Sequence, residues 1–509
     1  MDLLSDFAKK IPKRIRICFI SSIIFGFFTH MTMLTHKIPN WDDLGCYHSF
    51  GSGAEFGRWF LRFVHPLGGT WSNQWLNGGL AILLLALAFC FFYEGLGLKS
   101  TTSAVLFPMI LMTFPSLAST MTFMFMIDLS ALSILLSAIS FYVVRRYSYG
   151  FLFGIIPLIF SMGLYQSYIC FTISAMLAAL LIDSLKEENT FGMLMKRGIS
   201  YAVTLLSSVI FYYIIAIVRF PQIVETTQNG IGSMGHISLL RIPKLIVKAY
   251  LRIANYFILG GYSFQTVFMH VCNILVLIIL IVLFVLVVRK KNLQKRKGNM
   301  AFALICVCLF PLGMSFVDIM APDANFSMLM LYQYAFMYAA ILILYEQLIS
   351  SGIIVKPEKL ACLAGVLLIL LTSYGDYIVT NEAYFRTQMA YERVYAYGNR
   401  MLERVESMEG YQDGDPIYLA GTFNQDQMHG YLLDEEKFYD FSGLAMEYGM
   451  LTPGARENFF GIFYGKAVEF PNESLSEELK ANPEFQEMSN YPSDNSIRKI
   501  GSRWVVKIS

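Results

Sequence analysis

The sequence predicts a polytopic α-helical membrane protein with about eleven transmembrane helices and a small C-terminal α/β domain. Three observations carry this. Hydrophobic residues make up 56% of the 509-residue chain and charged residues only 15%, where a soluble globular protein carries roughly 25% charged residues. Apolar runs near the roughly 20 residues needed to cross the hydrocarbon recur between residues 17 and 379. Lys and Arg gather in alternate connections between those runs, the bias that sets orientation in a membrane.

The runs lie near residues 17–35, 77–98, 103–119, 122–143, 151–166, 167–183, 198–218, 264–288, 300–319, 327–348 and 359–379. The first follows the basic start KKIPKRIR and has no small-residue cleavage site after it, so it reads as a span and not as a cleaved leader. The stretch 151–183 is too long for one span and is divided at LYQSY, around Tyr165 and Gln166. Basic clusters fall at Lys9–Arg16, Lys99, Arg145–Arg146, Lys186–Arg197, Arg289–Lys297 and Lys356–Lys359. With a cytoplasmic N-terminus, eleven spans place every cluster on the cytoplasmic side of a bacterial cytoplasmic membrane. Residues 1–379 then form the membrane region, and 380–509 form an extracytoplasmic domain.

Two further outer segments are long, about 36–76 and 219–263. The second contains HISLLRIPKLIVKAYLRIANYFILGG, with apolar residues at helical spacing and Arg241, Lys244, Lys248 and Arg252 between them. It reads as an amphipathic helix, lying either in the interface or on neighbouring spans. In the C-terminal region, Asn381–Glu409 reads as a helix. DPIYLAGTF reads as a buried strand, PNESLSEELKANPEF as a surface segment with a short helix, and IRKIGSRWVVKIS as a terminal strand or a hairpin turning at GS. Seven of the eight cysteines fall in apolar runs without metal-ligand spacing, which reads as unpaired packing thiols. No phosphate-binding GxxxxGK[ST] loop and no dinucleotide fingerprint is present.

The chemistry concentrates in IPNWDDLGCYHSFGSGAEFGRWFL, residues 38–61. A single interfacial carboxylate reads as solvated surface. Here Asp42 and Asp43 are adjacent, and Glu55, Arg58 and Arg62 follow in the same loop. Two neighbouring carboxylates raise at least one pKa, which suits a general base. The planar fork of Arg58 suits phosphate oxygens. A base and a phosphate clamp beside a bilayer point to a lipid-phosphate substrate. Within or near the spans, Asp128, Asp318, Tyr165 and Gln166 stand out, because ionisable groups at membrane depth are costly and by default functional. A divalent metal is compatible with two carboxylates and a phosphate, and metal dependence stays open.

The segments IPNWDDLGCYHSFGSGAEFGRWF, MIDLSALSILLSAIS and GLYQSYICFTISAMLAALL, with the ending YPSDNSIRKIGSRWVVKIS, resemble bacterial glucosyltransferases of the phage O-antigen Gtr type. The likeness spans nearly the whole chain. It implies a GT-C-like enzyme that moves a hexose, glucose by the family's usual name, from a polyprenyl-phosphate donor to a cell-surface glycan on the outer side of the membrane. It implies Asp42 and Asp43 as catalytic, Gly57-Arg58-Trp59 as the companion motif, and Asp128, Tyr165 and Gln166 as site-lining. Relatives carry a basic residue at the outer end of a late span. DANFSMLMLYQYAF offers none here, so Arg241 or Lys244 is expected to supply that charge to the donor phosphate. The competing reading is a transporter or flippase of lipid-linked sugars. It is weakened by the absence of inverted repeats and by the large segment after the last span.

Overall fold

Packing in the membrane region runs through the long apolar helices, which bury one face each and leave large aliphatic side chains on the other. The structure, a computed structural model, describes residues 10–48, 53, 56–219, 239–323, 326–421, 423, 435–444, 454–470 and 473–508. The helices that matter are α1 Lys13–Thr35, α2 Trp41–Gly45, α3 Gln74–Leu96, α4 Thr101–Thr113, α5 Pro115–Met121, α6 Met124–Arg146, α7 Gly150–Leu164, α8 Gln166–Ser184, α9 Phe191–Arg219, α10 Ile242–Ala254, α11 Val267–Lys290, α12 Lys297–Met314, α13 Ala335–Ile349 and α14 Lys356–Glu406.

Each of the eleven apolar runs contains helix, and the helices differ in length. Among the described residues, eight helices (α1, α3, α6, α8, α9, α11, α12 and α14) are long and apolar enough to cross a membrane. The pair α4–α5, bent by 54°, makes a ninth if counted as one span. The bend has a covalent cause. Pro115 opens α5, and the residue before a proline is pushed out of the helical region; Phe114 sits at ψ 128°. The remaining two runs form the shorter α7 and α13, the latter of 15 residues. Both abut irregular turns, at Tyr165 and at Ser327–Tyr334.

The basic clusters meet at one end of the bundle. Arg14 pairs with Glu94, Arg145 and Arg197 with Asp183, and Lys290 with Glu358. Arg296 donates to the carbonyls of Leu185 and Lys186, and Lys291 to Gln347. The irregular turns lie toward the other end.

The expected boundary at residue 379 falls within α14. α14 has 51 residues, about 77 Å at 1.5 Å per residue. It runs without a break from the last apolar run into the C-terminal region, so the expected separate helix is its continuation. Its distal part packs Val394, Met401, Leu402 and Val405 against a four-stranded sheet. The strands are β1 Ile417–Ala420, β2 Val468–Glu469, β3 Ile497–Ile500 and β4 Arg503–Lys507, in the order β2-β1-β4-β3. β1 is parallel to β2 and β4, while β3 and β4 form an antiparallel hairpin. That hairpin turns at Gly501, whose φ of +62° suits glycine. Leu44 of α2 is buried in the same apolar cluster as Phe459, Trp504 and Val506. The short acidic helix is therefore held against the C-terminal region.

α10 packs Leu245, Ala249 and Ile253 inward and leaves Val247 and Leu251 exposed. Among the described residues the cysteines form no disulfide.

Candidate functional site

A cavity of about 420 Å³ opens at the end of the bundle opposite the basic clusters. Its walls are Trp41 and Asp42 of α2, Arg58 of the following loop, Thr120 of α5, and Phe123, Phe125, Met126 and Ser130 around the start of α6. Tyr165 and Tyr168 close one side, Ser327, Leu329 and Met330 another, and Ser442 comes from the C-terminal region. Three helix breaks, at 122–124, 165 and 327–334, converge here. Irregular backbone at membrane depth is tolerated where it lines a cavity or is buried in protein.

The two acidic residues have different surroundings. Asn40 caps α2 by accepting a hydrogen bond from the Asp43 backbone N–H at 2.8 Å, and its amide group donates to the Thr122 carbonyl at 2.9 Å. The Asp43 side chain is 1% exposed and fully engaged. Lys37 Nζ lies 2.6 Å from its Oδ2, while Ser72 Oγ (2.5 Å) and the Phe125 N–H (3.2 Å) donate to its Oδ1. Asp43 thus ties the first span, the acidic loop and the start of α6 together. Asp42, one residue earlier, lines the cavity, and its carboxylate has no hydrogen bond or ion pair among the described residues. Burial, with a smaller push from Asp43, raises its carboxyl pKa above the ordinary value, and Arg58 pulls the other way.

Arg58 is held from behind. Gln166 Nε2 donates to the Phe56 carbonyl (2.5 Å) and to the Tyr212 hydroxyl (2.9 Å), which donates to the Gly57 carbonyl (3.1 Å). Gly57 has φ +76°, and a Cβ there would lie 2.5 Å from Tyr212 Oη and 2.6 Å from Gln166 Nε2. Only glycine lets the loop pass this close. The guanidinium stacks over Tyr165, 4.8 Å from the ring centre, and its buried Nε has no hydrogen-bond partner among the described residues. Tyr165 and Gln166 therefore divide the work, one on the cavity wall and the other clamping the loop. Trp59 is buried beneath, against Phe60, Phe160 and Gly163, and does not line the cavity.

Other expected site residues lie elsewhere. Asp128 is buried but absent from the cavity wall. It sits two residues, about 200° of helix rotation, from Met126 and Ser130, which do face the cavity. It points instead toward Gly68 and Asn77. Asp318 is bound by Arg252 through two contacts of 2.8 Å and by Lys248 at 3.2 Å. That pairing fastens α10 to the bundle. Arg241 is exposed and lies 3.7 Å from Asp323, and Lys244 is exposed; neither lines the cavity. Glu55 lies outside the described residues. Among the described residues, no group of three or more His, Cys, Asp or Glu side chains is placed to hold a metal ion.

Sequence reasoning missed Lys37, Ser72, Tyr212 and Ser442. Lys37 carried a readable signal, a cation six residues before Asp43 at the end of the first span. Tyr212 and Ser442 carried none, since each reaches the site only through tertiary packing. Ser442 arrives on 435–444, which docks through Phe441 on Phe264 (5.0 Å between ring centres) and Asp440 on the Ser263 N–H (2.6 Å).

Comparison with curated proteins and with solved structures gave no match. The model of one protein family, glucosyl transferase GtrII, matches residues 31–345, a stretch that includes the acidic loop, Arg58 and most of the cavity wall. With more than half of the chain covered, and with apolar helices long enough to span a membrane, this protein belongs to the GtrII glucosyl transferase family.

Proposed function

We propose that the protein is a GT-C-type membrane glycosyltransferase that moves glucose from a polyprenyl-phosphate donor to a cell-surface glycan at the outer face of the cytoplasmic membrane. One observation carries this reading. A carboxylate and a guanidinium, neither in an ion pair with another side chain among the described residues, face the same cavity at the end of the bundle. Asp42 takes the proton from the acceptor hydroxyl as that oxygen attacks the anomeric carbon. The bond from that carbon to the phosphate oxygen breaks, and polyprenyl phosphate departs with the electron pair. Arg58 meets the developing charge with N–H donors and needs no proton transfer, the kind of preorganised stabilisation that supplies much of enzymatic rate enhancement. The tail stays among the spans while the phosphate stays at the interface. Membership in a glucosyl transferase family favours this over transport of lipid-linked sugars.

The test is loss of the gene followed by composition analysis of the surface glycan and of the lipid-linked sugar pool. The expected result is one hexose missing from the glycan, with its polyprenyl-phosphate donor accumulating. An unchanged glycan would overturn the proposal.

A further inference from the structure

At the basic end, a second cavity of about 240 Å³ is walled by Glu94, Tyr142, Arg145, Arg146, Lys186 and Arg197, from α3, α6, α9 and the turn after α8. Its charges do not cancel. Asp183, wholly buried behind it, accepts from Arg145 and Arg197 and lies 3.1 Å from Lys186. One carboxylate thus faces three cations. Glu94 is already matched by Arg14 at 3.0 Å. Arg146 is exposed and has no ion pair among the described residues. The cavity therefore holds a net positive charge, with donors converging on an open space.

Its level in the bundle adds a second argument. α6 ends beside it in exposed Tyr147 and Tyr149, followed by exposed Leu152 and Phe153. Tyrosines of this kind sit at the head-group level of a bilayer, with apolar side chains on the hydrocarbon side. Basic pockets between transmembrane helices at that level bind anionic head groups.

We infer that this cavity binds a phosphate group, that of an anionic phospholipid such as phosphatidylglycerol, and so anchors α3, α6 and α9 to one leaflet. The Arg145 and Arg197 guanidiniums are fixed in advance by Asp183, so they lose little freedom on meeting the phosphate. Arg146 and Lys186 close on it from the rim. This site is separate from the Asp42 cavity and does not depend on what that cavity does.

The test is native mass spectrometry of the full chain in neutral detergent, titrated with phosphatidylglycerol, with phosphatidylcholine, and with phosphatidylglycerol in the presence of inorganic phosphate. The wild type is expected to hold phosphatidylglycerol in preference to phosphatidylcholine. Arg146→Ala with Lys186→Ala should weaken it by about fivefold per positive charge removed. Arg146→Lys, which keeps both charge and fold, should bind nearly as the wild type does. Displacement by millimolar inorganic phosphate would identify free phosphate as the occupant, with the same chemistry. Equal binding of the two lipids, or a double variant that binds as the wild type does, overturns the inference.

Discussion

A helix turns about 100° per residue, so Asp42 and Asp43, neighbours on the short α2, look into different surroundings. Asp43 meets Lys37, Ser72 and the Phe125 N–H, while Asp42 meets open space. Removing one partner of a buried ion pair leaves the other charge uncompensated and costs about 3–5 kcal/mol. Asp43→Asn is therefore expected to lower the melting temperature of the purified protein clearly, and Asp42→Asn to leave it nearly unchanged; thermal unfolding in detergent checks both. The pH dependence follows from the same geometry. The Asp42 carboxyl is raised by burial, so the active carboxylate is lost, as pH falls, at a higher pH than for an ordinary aspartate. Arg58 stabilises that carboxylate. Arg58→Ala should shift the acid limb of kcat/KM further up in pH, and Arg58→Lys, which keeps the charge, should shift it less. An acid limb that stays in place in Arg58→Ala would contradict the pairing. The sequence marked this loop as the place for chemistry. It did not rank the two acids, because the rank is set by Ser72, Phe125 and the C-terminal contacts of α2, none of which is local.

Elements position the site through their ends and breaks. Gly57 passes between Tyr212 of α9 and Gln166 at the start of α8, and that passage aims Arg58. Gly57→Ala adds a methyl group where 2.5 Å is free and forces φ from +76°. Misplacement of a binding group by about 1 Å costs roughly 10²-fold in rate. We expect a loss of that order in transfer with helix content intact by circular dichroism; near-normal transfer would show that the loop does not aim Arg58. Apolar length made the helical runs readable from sequence, and the Pro115 bend follows from a rule about the residue before proline. The length of α14 was not readable. Apolar composition ends near residue 379, but Glu, Arg, Met and Ala keep the chain helical, so a change of surroundings looked like the end of an element. Asp128 shows the converse. Its depth was legible, but the face of α6 it occupies depends on where that helix is rotated in the bundle.

In the whole molecule, the basic clusters and the Asp42 cavity are segregated to opposite ends. The basic clusters that set orientation gather at one end, and the Asp42 cavity, with the docked 435–444 segment, lies at the other. If the basic end is cytoplasmic, a reporter fused after residue 509 should read outside and one inserted near Lys291 should read inside. The reverse result would put Asp42 on the side of nucleotide sugars and remove the reason for a lipid-phosphate donor. The strand at Ile417–Ala420 was legible as a short apolar run, and the terminal segment as a strand or a hairpin turning at GS, of which the hairpin is what forms. The contribution of Ser442 to the cavity was not, because it depends on a docking across 177 residues of chain. The most direct measurement of the central claim is in vitro transfer from polyprenyl-phosphate glucose by purified protein in detergent, where sidedness and transport have no meaning. Wild type, Asp42→Asn and Asp43→Asn are compared at equal amounts of folded protein. The account expects Asp42→Asn to lose about 10²–10⁴ in turnover, the usual range for a general base, and the folded fraction of Asp43→Asn to keep measurable transfer. Near wild-type turnover by Asp42→Asn would contradict it.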